Sequence, residues 1–552
     1  MSYPASPFGT NAVPTDVEAR LIRASMSAPQ EELARLDALI ATSTARRQSL
    51  CDYIAACDAL LSPARRLPPE VVSEVFLACL PDEHNPSMSA QDAPLKLGHI
   101  CRAWREIALS NPRLWSSVHI VYPLVVARDD GIELLLNWLE LSGVLPLLIS
   151  FVGDPKVADH PAAQFLITNL LATSDRWEYL ELNGMGMGSI LMERFLALAP
   201  PRLHSLATSE LLTDSFGIAI SPKPLFRGAA LRAIALDSSH ARDYFSDLPH
   251  TLPFAQLTHL TLTDTVPVNE DEYEKPGIRP RALCALLAHC RDLEYLSFRA
   301  CYDDDEMDET FGIEPAPPFP RERVVLPHLH TFLMEPTPSL DEFHPPPIPI
   351  LREFWAKLDL PALTHLRIDD GAIVDVSNYG PSFWEAASNR FPRLETLSAP
   401  SPDSRLFIAF PAIRHLHFHG AQTDGTTIFA LSLLSPALLG ANRNSLPIAS
   451  SIQSVTFASA AAIPVSEIHT FLQRHGQAGV GSRLRRLAMH FSLPRDREDV
   501  GHAQKPLPVL APPAGVEVKL TWDAARESDV GVPVGMDPRS GLELSVRRFV
   551  GI

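Results

Sequence analysis

Leu257-Thr-His-Leu-Thr-Leu262 and Leu293-Glu-Tyr-Leu-Ser-Phe298 decide how the larger part of this chain is read. Both have the form L-x-x-L-x-L, in which the last apolar residues alternate with polar ones as a half-buried strand requires. The form is approximated at Trp177–Leu182, Leu203–Leu206, Leu231–Leu236 and Leu329–Met334, and again at Leu363–Ile368, Leu394–Leu397, Ile413–Phe418, Ile452–Phe457 and Leu484–Met489. The intervals vary around an average of about 31 residues. Helical stretches such as Ile190 to Ala199, Arg281 to Cys290 and Ser466 to His475 fall between these segments. A unit of one short strand and one helix cannot bury its apolar face alone, so the pattern predicts stacked neighbours around a continuous core. Upstream, Ser117–Tyr122 and Leu145–Val152 read as strands on either side of a helix over Ile132 to Leu141.

This pattern resembles an irregular leucine-rich-repeat solenoid. The Asn or Cys that the family places three residues after the last apolar position is mostly missing, a departure that bears on the polar ladder of the turn and not on the stacking. In such strands the leucines face inward and the residues beside the middle leucine face outward along a parallel sheet. The candidates for a concave, target-binding face are therefore Tyr179, Glu181, His259, Tyr295, Arg299, His365, Arg367, His415, His417 and Arg486. Aromatic and arginine side chains typically dominate protein recognition. For any one of these positions taken alone, a solvated strand residue is the preferred reading.

Two further runs precede the array, Leu67-Pro-Pro-Glu-Val-Val-Ser-Glu-Val-Phe-Leu-Ala-Cys-Leu80 and Leu97-Gly-His-Ile-Cys-Arg-Ala-Trp-Arg-Glu-Ile-Ala108. Pro68 and Pro69 suit a helix start, where a missing N–H costs nothing, and apolar residues then recur every three to four positions. The second helix stops at Ser110-Asn111-Pro112, just before Leu114 and Trp115. So few short helices are marginal by themselves, which implies a partner. Leu67-Pro68-Pro69-Glu70-Val71, Val75-Phe76, Ile100 to Arg105, Ile107-Ala108 and Pro112 to Trp115 together resemble the F-box, with a polar, proline-containing insert from Pro81 to Pro94 as the departure. The resemblance implies docking onto the Skp-type adaptor of a cullin ubiquitin ligase. It assigns the adaptor face and the small core behind it to Leu67, Pro68, Pro69, Val71, Val75, Phe76, Ile100, Trp104, Leu114 and Trp115.

Residues 1 to 28 read as a disordered lead-in from their Pro, Ser, Thr and Gly content. A helix is expected from about Pro29, with Leu33, Leu36, Ile40, Ser43, Arg47, Leu50, Ile54, Cys57 and Leu61 forming a heptad seam that has two polar interruptions. It suits either packing onto its own chain, the preferred reading, or a coiled coil with another copy. The expected organisation is thus a lead-in over 1–28, a helix or short coiled coil over 29–62, an F-box over 64–118 and the repeat array over 119–552 with a capping C-terminus. The fold class is α+β / α/β: a short N-terminal helix, an F-box helical bundle, then a leucine-rich-repeat-like solenoid built on a parallel sheet.

With 552 residues, 46% hydrophobic and 20% charged, a large core is possible. A formal charge of −18 without clustered Lys or Arg argues against nucleic acid. Seven cysteines without a C-x-x-C pair read as reduced thiols of the cytosol or nucleus, no segment has the apolar length of a membrane span, and no secretory leader is legible. Gly184-Met-Gly-Met-Gly188 fails as a phosphate cradle, because Ser189 stands where the third glycine belongs. His415, His417 and His419 share one face of one strand, which suits a polar patch better than a zinc site with its need for convergent ligands. The acidic run Asp303 to Glu309 lacks the glycine and terminal glutamate of a calcium loop.

No catalytic constellation, metal or cofactor is expected. The reading is a non-catalytic substrate-recognition subunit of a Skp–cullin–F-box-type ubiquitin ligase, cytoplasmic or nuclear, whose partners are the adaptor, a cullin through it, and a target protein. The alternative is a protein-interaction scaffold without a ligase role.

Overall fold

A computed structural model describes residues 13–128, 130–153, 161–184, 190–208, 223–237, 252–263, 278–299, 318–335, 348–368, 390–399, 410, 412–418, 431, 434, 451–460, 465–477, 483–491 and 516–522. The acidic run over 303–309 lies outside them. The chain divides into two units, 1–75 and 76–552.

The first unit opens with α1 (Asp16–Leu61), 46 residues in which no side chain is buried. It starts well upstream of Pro29 and within the segment expected to be a disordered lead-in, so the expectation of a short helix is corrected. The reason is local. The backbone N–H of Thr15 donates to Glu18 Oε2 at 2.9 Å, closing a capping box that satisfies an orphan donor at the new start. Pro29 then sits inside the helix. The expectation that the seam packs onto its own chain finds no support, since every seam residue remains in contact with solvent. Next comes α2 (Pro69–Ala78), which spans the unit boundary.

The second unit contains α3 (Leu95–Gly98), α4 (Arg102–Ser110), β1 (Ser117–Val121), α5 (Tyr122–Ala127), α6 (Gly131–Leu141), β2 (Leu147–Val152), α7 (Pro161–Leu171), β3 (Trp177–Asn183), α8 (Ile190–Leu196), β4 (Ser205–Thr208), β5 (Ala233–Asp237) and β6 (His259–Thr263). It continues with α9 (Pro280–Leu287), β7 (Tyr295–Arg299), β8 (Val324–Val325), β9 (Thr331–Glu335), α10 (Ile348–Lys357), β10 (Leu358–Asp359), β11 (His365–Arg367), β12 (Thr396–Ala399), β13 (His415–Phe418), β14 (Ser454–Ala460), α11 (Val465–Gln477), β15 (Arg486–Phe491) and β16 (Glu517–Trp522). Fourteen of these strands form one sheet in chain order, all parallel, while β8 and β10 pair separately. A parallel neighbour needs a crossover, and each helix or loop between rungs supplies one. This is the stacked, solenoid-like arrangement that the leucine spacing predicts.

The register aligns the middle apolar residue of every repeat. Ile149, Leu180, Leu206, Ile234, Leu260, Leu296, Phe332, Leu366, Leu397, Leu416, Val455 and Leu487 stand in one row across successive strands. All twelve are buried. The helices rest on this inner face. Phe195 of α8 lies 5.6 Å from Phe151, and Phe354 of α10 lies 6.2 Å from Phe298 and 6.5 Å from Phe332.

Both segments that looked anomalous in sequence serve the stacking. The insert from Pro81 to Pro94 lies along β1: the His119 N–H donates to the Pro86 carbonyl at 2.8 Å, and Ser87 makes a parallel bridge to His119. Asn85 Nδ2 reaches Ser150 Oγ at 3.2 Å. The insert thereby covers an edge that would otherwise present unpaired backbone groups. Gly184 has φ +61° in the turn after β3, and an added Cβ would stand 3.0 Å from the Gly153 carbonyl oxygen. Its conformation explains the glycine without any ligand.

Shortening a side chain in the central row tests the packing. Phe332→Ala removes a ring that also lies 5.5 Å from Phe298 and 5.1 Å from Trp355. It is expected to lower unfolding stability by about 3–5 kcal/mol in chemical denaturation; a loss below about 1 kcal/mol would mean that the row is not close-packed.

Candidate functional site

Two surfaces, one in each unit, hold the residues singled out from sequence. In α2 the apolar residues split between two faces. Val72 and Phe76, four apart, are buried, whereas Val71 and Val75, also four apart, are 45% and 46% exposed. Leu67, ahead of the helix, is 42% exposed, and Pro68 and Pro69 are exposed too. The helix therefore has one apolar face that folding uses and a second that it leaves in water.

In the second unit the corresponding candidates divide. Ile100 is exposed and Trp104 half-buried, while Phe76, Leu114 and Trp115 are at 0%, 0% and 4% exposure. These last three are core residues, so within the set assigned to the face and the small core behind it they belong to the core and not to an adaptor-facing surface. Phe76 meets Trp104 edge to face at 5.1 Å. The Trp115 indole donates to the Ala108 carbonyl at 2.8 Å and packs edge to face on Trp138 at 4.9 Å. The Trp138 indole donates in turn to the Ser117 carbonyl at 3.2 Å, so α4, α6 and β1 are tied through two buried rings.

The outward face of the sheet also departs from expectation at its N-terminal end. Tyr179 and Glu181 are each only 1% exposed. The Tyr179 hydroxyl donates to Glu181 Oε2 at 2.8 Å, and Asn183 Nδ2 donates to the other carboxylate oxygen at 3.1 Å. Both residues are therefore removed from the target-binding set. Side-chain alternation specifies a face of the sheet, but not whether other parts of the chain cover it; beside β3 the insert already reaches Ser150, the register partner of Glu181.

Farther along, the outward rows open. His259, Tyr295, Arg299, Arg367, His415 and His417 are half-buried, and His365 and Arg486 are exposed. Parallel register brings His259 beside Tyr295, with rings stacked at 5.6 Å, and places His365 in line with Thr331 and Thr396. His415 Nδ1 lies 2.8 Å from Ser454 Oγ, and His417 Nδ1 lies 3.2 Å from Ser398 Oγ. The imidazoles thus engage hydroxyls on neighbouring strands, and no metal-binding group of three His, Cys, Asp or Glu occurs among the described residues. His419 lies outside them.

A further row escaped the sequence reading. The residue before each strand, the first x of L-x-x-L-x-L, is Thr258, Glu294, His330, Thr364, Glu395, Arg414, Gln453 and Arg485 in successive repeats. Each backbone N–H from Glu294 onward donates to the carbonyl of its predecessor in this series. Arg414 pairs with Glu395 at 3.2 Å, and His330 Nε2 lies 3.9 Å from Glu294. The signal was the unbroken polarity of that position. Burial holds His259 and His365 below the usual imidazole range; His330 lowers both further by repulsion, while Glu294 acts oppositely on His259 and Glu395 on His365.

Burial also pushes the Cys284 and Cys290 thiols up to about 12, so neither is a thiolate nucleophile. No described helix is long and apolar enough to cross a membrane.

No family model matches the chain, and no curated protein matches it. Among solved structures it is similar to a Bacteroides fragilis protein at 13% identity, covering 53% of this chain and 65% of that one with a TM-score of 0.26. It is also similar to a chain of the yeast Rad7 and Elc1 complex at 13% identity, covering 74% of this chain and 92% of that one with a TM-score of 0.31. The chain thus spans less than two thirds of the Bacteroides protein. At such identity and superposition neither likeness carries an argument about this protein.

The histidine coupling is directly measurable. His330→Gln is expected to raise the titration midpoints of His259 and His365 in NMR spectra of histidine-labelled protein. Unchanged midpoints at both would contradict the shared electrostatic field.

Proposed function

We propose that this chain is a substrate-recognition subunit of a Skp–cullin–F-box-type ubiquitin ligase of the cytoplasm or nucleus, holding the adaptor through α2 and a target protein on the outward face of the sheet. One observation carries the reading: α2 buries Val72 and Phe76 yet keeps Val71 and Val75, with Leu67 just ahead of it, in water. An apolar flank left open beside a face already in use suits a helix that docks another polypeptide. The sheet offers the polar and aromatic positions described above. Toward its C-terminal end the strands and the positions before them carry Arg367, Arg414, Arg485, Arg486 and Lys519, of which Arg414 and Arg486 lie within ion-pair distance of Glu395 and Glu517. That balance favours an acidic segment as the target, in spite of the chain's net charge. The mechanism is positional: holding a target beside the ligase's conjugating enzyme raises its effective concentration, and the chain supplies no catalytic group.

Val71→Asp combined with Val75→Asp is expected to reduce capture of the Skp-type adaptor by full-length protein by more than about tenfold, with the unfolding midpoint of the array unchanged. Phe76→Asp is not a suitable probe, because it places a charge in the core. Retained capture by the double variant would contradict the assigned flank, and adaptor capture without cullin would favour a scaffold over a ligase.

A further inference from the structure

The α1 helix presents a long apolar stripe that no part of the described chain buries. Leu33, Leu36, Ile40, Leu50 and Ile54 are between 41% and 62% exposed, although they occupy the seam positions of a heptad. Polar pairs such as Gln48 with Asp52, at 2.8 Å, lie on the opposite side. The seam from Leu33 to Leu61 is about 44 Å long, enough for four heptads.

We propose that the occupant of this stripe is α1 of a second copy of the chain, running antiparallel. The two polar interruptions decide both partner and direction. In an antiparallel pair centred between Ser43 and Arg47, each a position faces a d position of the other copy. Leu33 then meets Cys57, Leu36 meets Ile54 and Ile40 meets Leu50. Ser43 meets Arg47 in the two symmetry-related central layers, so the polar residues are confined to the middle and every apolar seam residue from Leu33 to Cys57 finds an apolar partner. A parallel pair instead places Arg47 against its own copy inside the seam, which sets two guanidinium charges together without a counterion. Shifting the antiparallel pair by one heptad puts Arg47 against Leu50 and Ser43 against Ile54. Leu39 and Tyr53, 56% and 69% exposed, face each other along one flank of the centred pair and widen its apolar contact. Arg46 meets its own copy only at the rim, where both side chains reach water.

Sedimentation equilibrium of the full-length chain at micromolar concentration is expected to give twice the chain mass, and Ile40→Asp with Ile54→Asp is expected to give the single-chain mass with an unchanged unfolding midpoint of the array. Direction is read by oxidative cross-linking with peptide mapping in a Cys51→Ser background. Leu33→Cys should cross-link to Cys57 of the other copy, whereas Cys57 should not cross-link to Cys57. A monomeric wild-type chain, a dimer that survives the double substitution, or Cys57–Cys57 cross-linking would each overturn the proposal.

Discussion

A strand of three to seven residues cannot satisfy its own backbone or bury its own apolar row, and this constraint governs the larger unit. Each rung depends on its neighbours on both sides. The row from Ile149 to Leu487 meets the requirement by placing one apolar residue per repeat in parallel register. Each fully buried member contributes about 1.5–3 kcal/mol by leaving water. Helices such as α8 and α10 then close the inner face through aromatic contacts, and the outward face is left to carry polar residues.

An array of this kind needs its first edge covered. The insert over Pro81 to Pro94 gives β1 a backbone partner at Pro86 and Ser87 and satisfies Ser150 through Asn85. Trp115 and Trp138 join α4 and α6 to the same strand through hydrogen bonds to Ala108 and Ser117. Tyr179 and Glu181, two strands farther on, are buried and bonded to each other. The outward face is accordingly closed near β1, whereas from β6 onward its His, Tyr and Arg positions are half-buried or exposed while the small Thr261, Ser297 and Ser398 between them are buried.

The strands and their order were legible because L-x-x-L-x-L reports a period of two over a short run, and the recurrence of that run reports stacking. Burial on the outward face was not legible: Tyr179 and Tyr295 occupy the same repeat position, and only the surroundings bury the first and leave the second partly open. The start of α1 was missed because a segment with several prolines outweighed the Thr15 and Glu18 capping pair in the reading. On α2 the periodicity marked all the apolar residues alike, whereas Val72 and Phe76 belong to the core and Val71 and Val75 to the surface. A four-residue spacing identifies faces, and it takes tertiary contacts to say which face is used.

One continuous sheet, to which every repeat contributes a rung, underlies both faces. Native-state hydrogen exchange, followed by mass spectrometry across β7, β9, β11, β12, β13 and β14, tests it most directly. Slow exchange of the strand amides, lost together when one central rung is destabilised, is the predicted result. Fast exchange across β11 to β14 while β1 to β7 stay protected would contradict a continuous sheet.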